Sequence, residues 1–174
     1  MKSCSRVALI VFAAGLVFLA SCGAATDSST KFPEPDTAAL TGLGRWAESA
    51  PLTFRLIKVS TIDSIPFDEA FEYAPKGTLF IVARLQVLPA TKGKAMVDYT
   101  AQVRLLDADG KGYIPDEYRF RATNTSPSST IMIESGRFVE FDLPFLMPED
   151  FEPLALRCEG ARGAEPVFLA LRRD

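Results

Sequence analysis

Cys22 is the residue whose type and surroundings most clearly indicate chemistry. It ends a segment that starts with Lys2 and Arg6, continues through the apolar run 7–20, and closes with small residues. A basic start, a short apolar run and small residues before a cleavage point are typical of a secretory signal peptide. The run is also short for a membrane-spanning helix. The pattern therefore predicts export, with Cys22 beside the cleavage point.

The four residues Leu19-Ala20-Ser21-Cys22 resemble the lipobox of bacterial lipoproteins. The resemblance implies that the signal is cut between Ser21 and Cys22 and that the Cys22 thiol receives a diacylglycerol. It also implies that the new amino terminus is acylated with a fatty acid such as palmitate. The membrane is then a partner through the lipid on Cys22, and the location is the extracytoplasmic cell envelope. An ordinary signal peptide with an incidental cysteine is the alternative.

Gly23 follows the predicted lipidation site. A residue other than Asp at this position resembles the pattern of lipoproteins that are passed to the outer membrane in bacteria with two membranes. One acyl chain holds a protein only marginally, whereas several chains hold it stably. We therefore expect stable anchoring, in the outer membrane if the host has two membranes.

The charge of the chain makes nucleic acid an unsuitable partner. Residues 1–21 contain two basic and no acidic side chains, so their removal leaves 17 basic and 22 acidic residues and a net charge of −5. An acidic chain without a basic block lacks the electrostatic attraction that nucleic acids require. The 153 residues that remain suit one domain and a tether.

Small, polar and proline residues dominate 23–38, where Phe32 is the one aromatic residue. Such a segment has too little apolar surface to offset the entropy lost on ordering, so it predicts a flexible tether whose deletion hardly affects stability. The predicted organisation is a signal peptide at 1–21, the lipidated cysteine and tether at 22–39, and a globular domain at 40–174.

Catalytic residues are not expected. The chain has no histidine, which excludes Ser-His-Asp and Cys-His arrangements. Cys158 alternates with Leu154 and Leu156, and a free cysteine in such a strand behaves as a small buried apolar residue. The interpretation is a protein without catalytic groups, cofactor or disulfide.

The segment 107–112 superficially matches a calcium loop. Asp107 and Asp109 occupy the first and third positions, and Gly112 the sixth. Lys111 stands at the fifth position and Tyr118 at the twelfth, where oxygen ligands are needed. Asp-Gly between two apolar runs is typical of a hairpin turn, which we predict here instead of a metal site.

Acidic and aromatic residues alternate in two segments, 68–73 and 116–121. The first is the one helical candidate, of one or two turns. It is also a candidate partner-binding loop, because loops at the ends of sandwiches often carry recognition. A glycosidase would need two acids flanking a sugar cleft, which sequence proximity does not establish. The second segment predicts a strand at 118–120.

Apolar and polar residues alternate through most of the domain, which predicts β-strands. A change of phase at Leu56-Ile57 predicts a bulge, and Pro144 within an alternating run predicts an edge strand or a bulge. About eight strands are predicted, at 52–59, 79–87, 99–105, 118–120, 131–133, 139–145, 154–158 and 167–171.

Three features resemble the uncharacterised immunoglobulin-like domain that is common in secreted bacterial lipoproteins. They are the approach GLGRWAESAPLTFRLIKV, the strand GTLFIVARLQV, and the pair VRLLDADGKGY and ESGRFVEFDLPFLMPED. The resemblance implies an all-β fold, an immunoglobulin-like antiparallel β-sandwich, and it transfers no catalytic residue.

The tether, the fold and the missing catalytic groups favour a binding or interaction module of the cell envelope. The partner is an envelope protein or a small ligand. A structural or assembly lipoprotein is the alternative, and an enzyme is the third possibility.

Overall fold

The computed structural model describes residues 30–33, 36, 39–67, 69–124 and 128–171. The predicted signal peptide, Ser21, Cys22 and the tether before Thr30 lie outside the described residues. The elements follow in the order β1 (Thr30–Lys31), β2 (Trp46–Ser49), β3 (Leu52–Ile62), β4 (Ser64–Phe67), β5 (Ala70–Tyr73), β6 (Thr78–Pro89), β7 (Lys94–Asp98), α1 (Tyr99–Gln102), β8 (Val103–Asp107), β9 (Lys111–Tyr113), α2 (Glu117–Asn124), β10 (Thr130–Glu134), β11 (Val139–Pro148), β12 (Pro153–Cys158) and β13 (Val167–Ala170).

Two sheets form the body of the domain. The four-stranded sheet has the order β11-β6-β3-β2, and the five-stranded sheet has the order β1-β9-β8-β12-β13. Two further ribbons, β4–β5 and β7–β10, are each two-stranded. Neighbouring strands in all of them run antiparallel. The all-β antiparallel sandwich that the sequence predicts is confirmed.

The core lies between the inner faces of the two sheets. Phe54, Leu85 and Leu143 from the four-stranded sheet belong to the same buried cluster as Leu105 and Leu156 from the five-stranded sheet. Because side chains of a strand alternate between its faces, these apolar positions recur at every second residue. The phases that the sequence predicts for β6 and β11 are confirmed.

Irregular points in the sheets also match expectation. The register of β3 against β6 shifts between Leu56 and Lys58, which confirms the predicted bulge. Pro144 lies on β11, the edge of its sheet, which confirms the edge-strand prediction. The Asn124 side chain donates to the Asp142 carbonyl and accepts from the Asp142 amide, so it occupies that edge. A covered edge protects a sheet against pairing with another chain.

The predicted strand at 99–105 is wrong in its first half. Asp98 ends β7 and its carboxylate accepts hydrogen bonds from the amides of Thr100 and Ala101, which starts the single turn α1. Aspartate in this position stabilises a helix start, because it satisfies amides that have no partner within the helix. The strand that was expected there begins only at Val103.

The predicted strand at 118–120 is wrong, because these residues belong to α2. Asp116 accepts from the Arg119 amide at the helix start, and Glu117 pairs with Arg121 one turn later at 2.6 Å. Capping and an i,i+4 ion pair favour helix over strand. Phe120 is nevertheless fully buried, and its ring stacks on Tyr99 with ring centres 3.6 Å apart.

The predicted helix at 68–73 is also wrong. Its residues 70–73 form the second strand of the β4–β5 ribbon, in which Pro66 opposes Phe71 and Ser64 opposes Tyr73. Phe71 and Tyr73 are aromatic, and aromatic residues favour paired strands. Asp68 lies outside the described residues.

Part of the predicted tether packs on the domain. Thr30 and Lys31 pair with β9, and the Phe32 amide donates to the Gly110 carbonyl at 2.8 Å. We call Thr30–Phe32 the N-terminal strap. A Cβ at Gly112 would overlap the Phe32 ring, so this position needs glycine for the ring to lie against the sheet. The expectation of a free tether is corrected for these residues.

Candidate functional site

The β4–β5 ribbon presents two aromatic side chains to solvent. Phe71 and Tyr73 are 65% and 70% exposed, and they lie on one face of β5 because they are two residues apart. Pro66 is opposite Phe71 and is also exposed. We call Pro66, Phe71 and Tyr73 the ribbon surface. Exposed apolar groups that lie together indicate an interaction site more strongly than scattered ones.

The opposite face of the ribbon is packed on the domain. Ile65 is buried, and Phe67 contacts Tyr118 of α2 with ring centres 4.9 Å apart. Phe80, near the start of β6, is fully buried but lies outside the main core cluster, on the strand that β4 contacts. The ribbon therefore covers a second, smaller apolar cluster outside the four-stranded sheet.

Arg119 fastens the ribbon to α2. Its Nε donates to Glu72 Oε1 at 3.0 Å, it also pairs with Asp116, and its guanidinium lies 5.5 Å from the centre of the Phe80 ring. Burial alone would lower the pKa of Arg119, but its bonds to Glu72 and Asp116 outweigh this and raise the pKa above its ordinary value. The cation is thus held in its charged form between two carboxylates.

The β7–β10 ribbon has a different exposed face. Met96 and Met132 are directly opposite each other and exposed, and next to them Lys94 pairs with Glu134 at 3.0 Å. A cross-strand ion pair stabilises a ribbon by itself. This face combines flexible thioethers with a balanced ion pair, whereas the ribbon surface consists of rings and a proline.

Cys158 is buried and free, as the alternation of β12 predicts. Burial raises the pKa of its thiol, because the thiolate would lose its solvation. The predicted cleavage and lipidation residues, Ser21 and Cys22, lie outside the described residues, so their assignment stays a prediction.

Asp107 serves the predicted hairpin turn between β8 and β9. One carboxylate oxygen accepts from the amides of Asp109 and Lys111, and the other accepts from the Tyr113 hydroxyl at 3.0 Å. The hairpin prediction is confirmed by the pairing of Leu105 with Tyr113. Across the residues that the structure describes, no three His, Cys, Asp or Glu side chains are grouped to hold a metal ion.

The acidic and aromatic segment of the ribbon is recognisable in the sequence, whereas the ion pairs of Arg119 with Glu72 and Asp116 are not predicted. The available signal was Pro115-Asp116 followed by Glu117, which is typical of a helix start. The spacing of Asp116 to Arg119 and of Glu117 to Arg121 also suits a helix. None of the described helices is long and apolar enough to span a membrane.

The fold and these surfaces define an all-β sandwich with an exposed aromatic ribbon. No protein-family model and no curated protein matches the chain. A conserved hypothetical protein from Bacillus anthracis has a similar fold, with a TM-score of 0.56 and 13% identity over 72% of this chain and 94% of that one.

Two further crystal structures show weaker similarity. A candidate lipoprotein (ycdA) from Bacillus subtilis has a TM-score of 0.49 and 16% identity, over 72% of this chain and 38% of that one. An uncharacterised β-sandwich protein from Clostridium difficile has a TM-score of 0.48 and 9% identity, over 81% of this chain and all of that one.

Proposed function

We propose that this protein is a lipid-anchored, extracytoplasmic binding module of the bacterial cell envelope. The resemblance of Leu19-Ala20-Ser21-Cys22 to a lipobox supports the anchor, and Gly23 supports the outer membrane in a host with two membranes. The module acts by binding and not by catalysis. Its recognition surface is the ribbon surface.

One observation carries the recognition role. The ribbon leaves Phe71 and Tyr73 in solvent, while its opposite face is fixed by Phe67, Arg119 and Glu72. Aromatic side chains are enriched at protein interfaces. A surface that is already ordered in the free protein loses less entropy when a partner binds. Rigid, exposed rings are therefore suited to recognition.

The anchor would keep the edge of the five-stranded sheet at β1 close to the membrane. Seven residues separate Cys22 from Thr30, where β1 joins the five-stranded sheet. Fully extended, this connection reaches about 28 Å at most. A lipidated protein can then meet only partners that lie within this length plus the dimension of the domain.

The anchor is tested by replacing Cys22 with Ala in the full chain. We expect the variant to leave the membrane fraction and to lack the mass of the lipid. A variant that stays as firmly bound and keeps the same mature mass would refute the anchor.

The recognition surface is tested with a photoreactive phenylalanine analogue at position 71 of the full chain in intact cells. The control position is Phe138, which is 56% exposed. It directly precedes β11, at the end of that strand farther from the ribbon. We expect a covalent adduct from position 71 and little from position 138. A single stoichiometric envelope partner would favour the assembly role, and equal labelling at the two positions would refute the surface.

A further inference from the structure

The outer edge of β5 is open for a further strand. Within the described residues β5 pairs with β4 alone, whereas β9 is covered by β1 and β11 by Asn124. An unpaired strand edge presents N–H and C=O groups that another chain can join. Pro66 of β4 cannot donate, whereas β5 has no proline, and the N–H groups of Phe71 and Tyr73 point to its open edge because N–H groups alternate between the two edges of a strand. Of the two strands of this ribbon, β5 is therefore the one that can accept a further strand.

Phe71 and Tyr73 would lie beside the side chains of a strand added to β5. Cross-strand neighbours on one face of a sheet come within about 5 Å of each other. The open edge would supply main-chain hydrogen bonds, and the two rings would supply apolar contact to alternate side chains. Both rings are exposed in the free protein, so no rearrangement is needed to reach them.

The surroundings of β5 are acidic. Among the described residues of the segment 63–77 and of the turn whose Glu149 amide donates to the Gly77 carbonyl, five carboxylates and one ammonium give a local net charge of −4. These are Asp63, Glu69, Glu72, Glu149 and Asp150 with Lys76. The charges of Asp116, Arg119 and those of the Glu117–Arg121 pair balance one another. Most of the charge of −5 predicted for the mature chain therefore lies here.

We propose that an extended, basic segment of a second protein adds to β5 as a strand, with apolar side chains against Phe71 and Tyr73. This inference rests on the proposed function of the ribbon surface. Charge complementarity selects the occupant, because the local −4 repels anionic lipid headgroups and a second acidic copy of this chain. The N-terminal strap shows the same mode within the chain, since β1 joins β9 and places Phe32 on the adjoining face.

The test places the photoreactive analogue at position 73 of the full chain in intact cells, and mass spectrometry maps the crosslinked peptide. Asp63→Lys with Glu69→Lys reverses two exposed charges beside the ribbon. Glu48→Lys, an exposed acid on the distant edge strand β2, is the matched control. We expect a crosslinked peptide rich in Lys and Arg, and an adduct yield that falls at least about fivefold in the double variant and is unchanged in the control.

Strand addition itself is tested with the crosslinked segment as a synthetic peptide. When it is added to the detergent-solubilised full chain, amide hydrogen exchange should slow at Phe71 and Tyr73, whose N–H groups point to the open edge. Exchange that does not slow there overturns strand addition. A lipid adduct, an adduct with a second copy, or an adduct insensitive to the double charge reversal overturns the basic partner. If neither position 71 nor position 73 gives an adduct, the proposed function is overturned as well.

Discussion

Two peripheral segments, the N-terminal strap and the β4–β5 ribbon, treat their aromatic side chains in opposite ways. Phe32 of the strap lies over Gly112, where the missing side chain makes room for the ring, and the Arg157 guanidinium lies 4.5 Å from the ring centre. Phe71 and Tyr73 of the ribbon stay in solvent. The domain can therefore pack a peripheral ring where the facing residue is small. The rings of the ribbon surface are not packed in this way.

The two segments also differ in what fixes them. The strap is held by a two-residue strand and one ring, whereas the ribbon is held by a strand pair, an apolar cluster and the Arg119 clamp. The strap thus uses its aromatic residue for attachment. The ribbon is attached by other groups, so its exposed rings are left for binding. Mutations that separate attachment from exposure test this difference.

The largest expected effect comes from the core, which sets the scale for both segments. Phe141 is buried against Phe120 and Tyr99, and Phe141→Ala removes that packing and leaves a cavity. We expect the free energy of unfolding to fall by about 3–5 kcal/mol. Chemical denaturation of the Cys22→Ala chain measures it, with the exposed Phe138→Ala as control. A loss no larger than that of the control would contradict the assigned core.

The next largest effect is expected at Arg119, whose ion pairs fasten the ribbon to α2. Arg119→Ala leaves the half-buried carboxylates of Glu72 and Asp116 without their cation, so we expect a loss of about 1–3 kcal/mol. Hydrogen exchange at β5 should accelerate, since the ribbon loses a main attachment. The control is Arg121→Ala, which removes an exposed ion pair worth about 0.5 kcal/mol. Equal losses in the two variants would show that Arg119 does not fasten the ribbon.

The sequence predicts the structural features that depend on neighbouring residues, and it does not predict those that depend on distant ones. The phases of β6 and β11 follow from alternation, and the β8–β9 turn follows from Asp109-Gly110, so both were predicted. The ribbon and α2 were not, because short segments of alternating acidic and aromatic residues suit a helix or a strand. Whether these segments form a helix or a strand depends on contacts between residues far apart in the sequence, such as that of Arg119 with Glu72.

The strap escapes sequence reasoning for the same physical reason. Residues 23–38 are polar on average, but the ring of Phe32 packs over Gly112 and beside the Arg157 guanidinium. A composition argument averages over the segment and cannot detect a single anchoring side chain. In the sequence, Gly112 resembles an ordinary turn residue, since it lies two residues after Gly110 of the Asp109-Gly110 turn.

Removal of the strap gives the third effect and revises the tether prediction. Deletion of 23–29 leaves Thr30–Phe32 in place and should not change the unfolding midpoint. Deletion of 23–38 removes the strap, and we expect a loss of about 1–2 kcal/mol from the uncovered apolar surface. Phe32→Ala and Gly112→Val, which respectively remove the ring and fill its site, should reproduce most of that loss. If both deletions behave alike, the strap contributes nothing to stability.

The smallest effect on stability is expected at the ribbon surface, and it is the most informative one for function. Phe71→Ser with Tyr73→Ser removes two rings that are mostly exposed, so the free energy of unfolding should change by less than about 0.5 kcal/mol. Binding should be lost, because rings at the centre of an interface contribute about 2 kcal/mol or more each. Chemical denaturation measures the change in stability. In-cell crosslinking from a photoreactive analogue at the exposed position 66 measures binding. A large loss of stability would mean that Phe71 and Tyr73 hold the ribbon in place, as Phe32 holds the strap. Unchanged stability with unchanged crosslinking would leave the rings without a role in recognition.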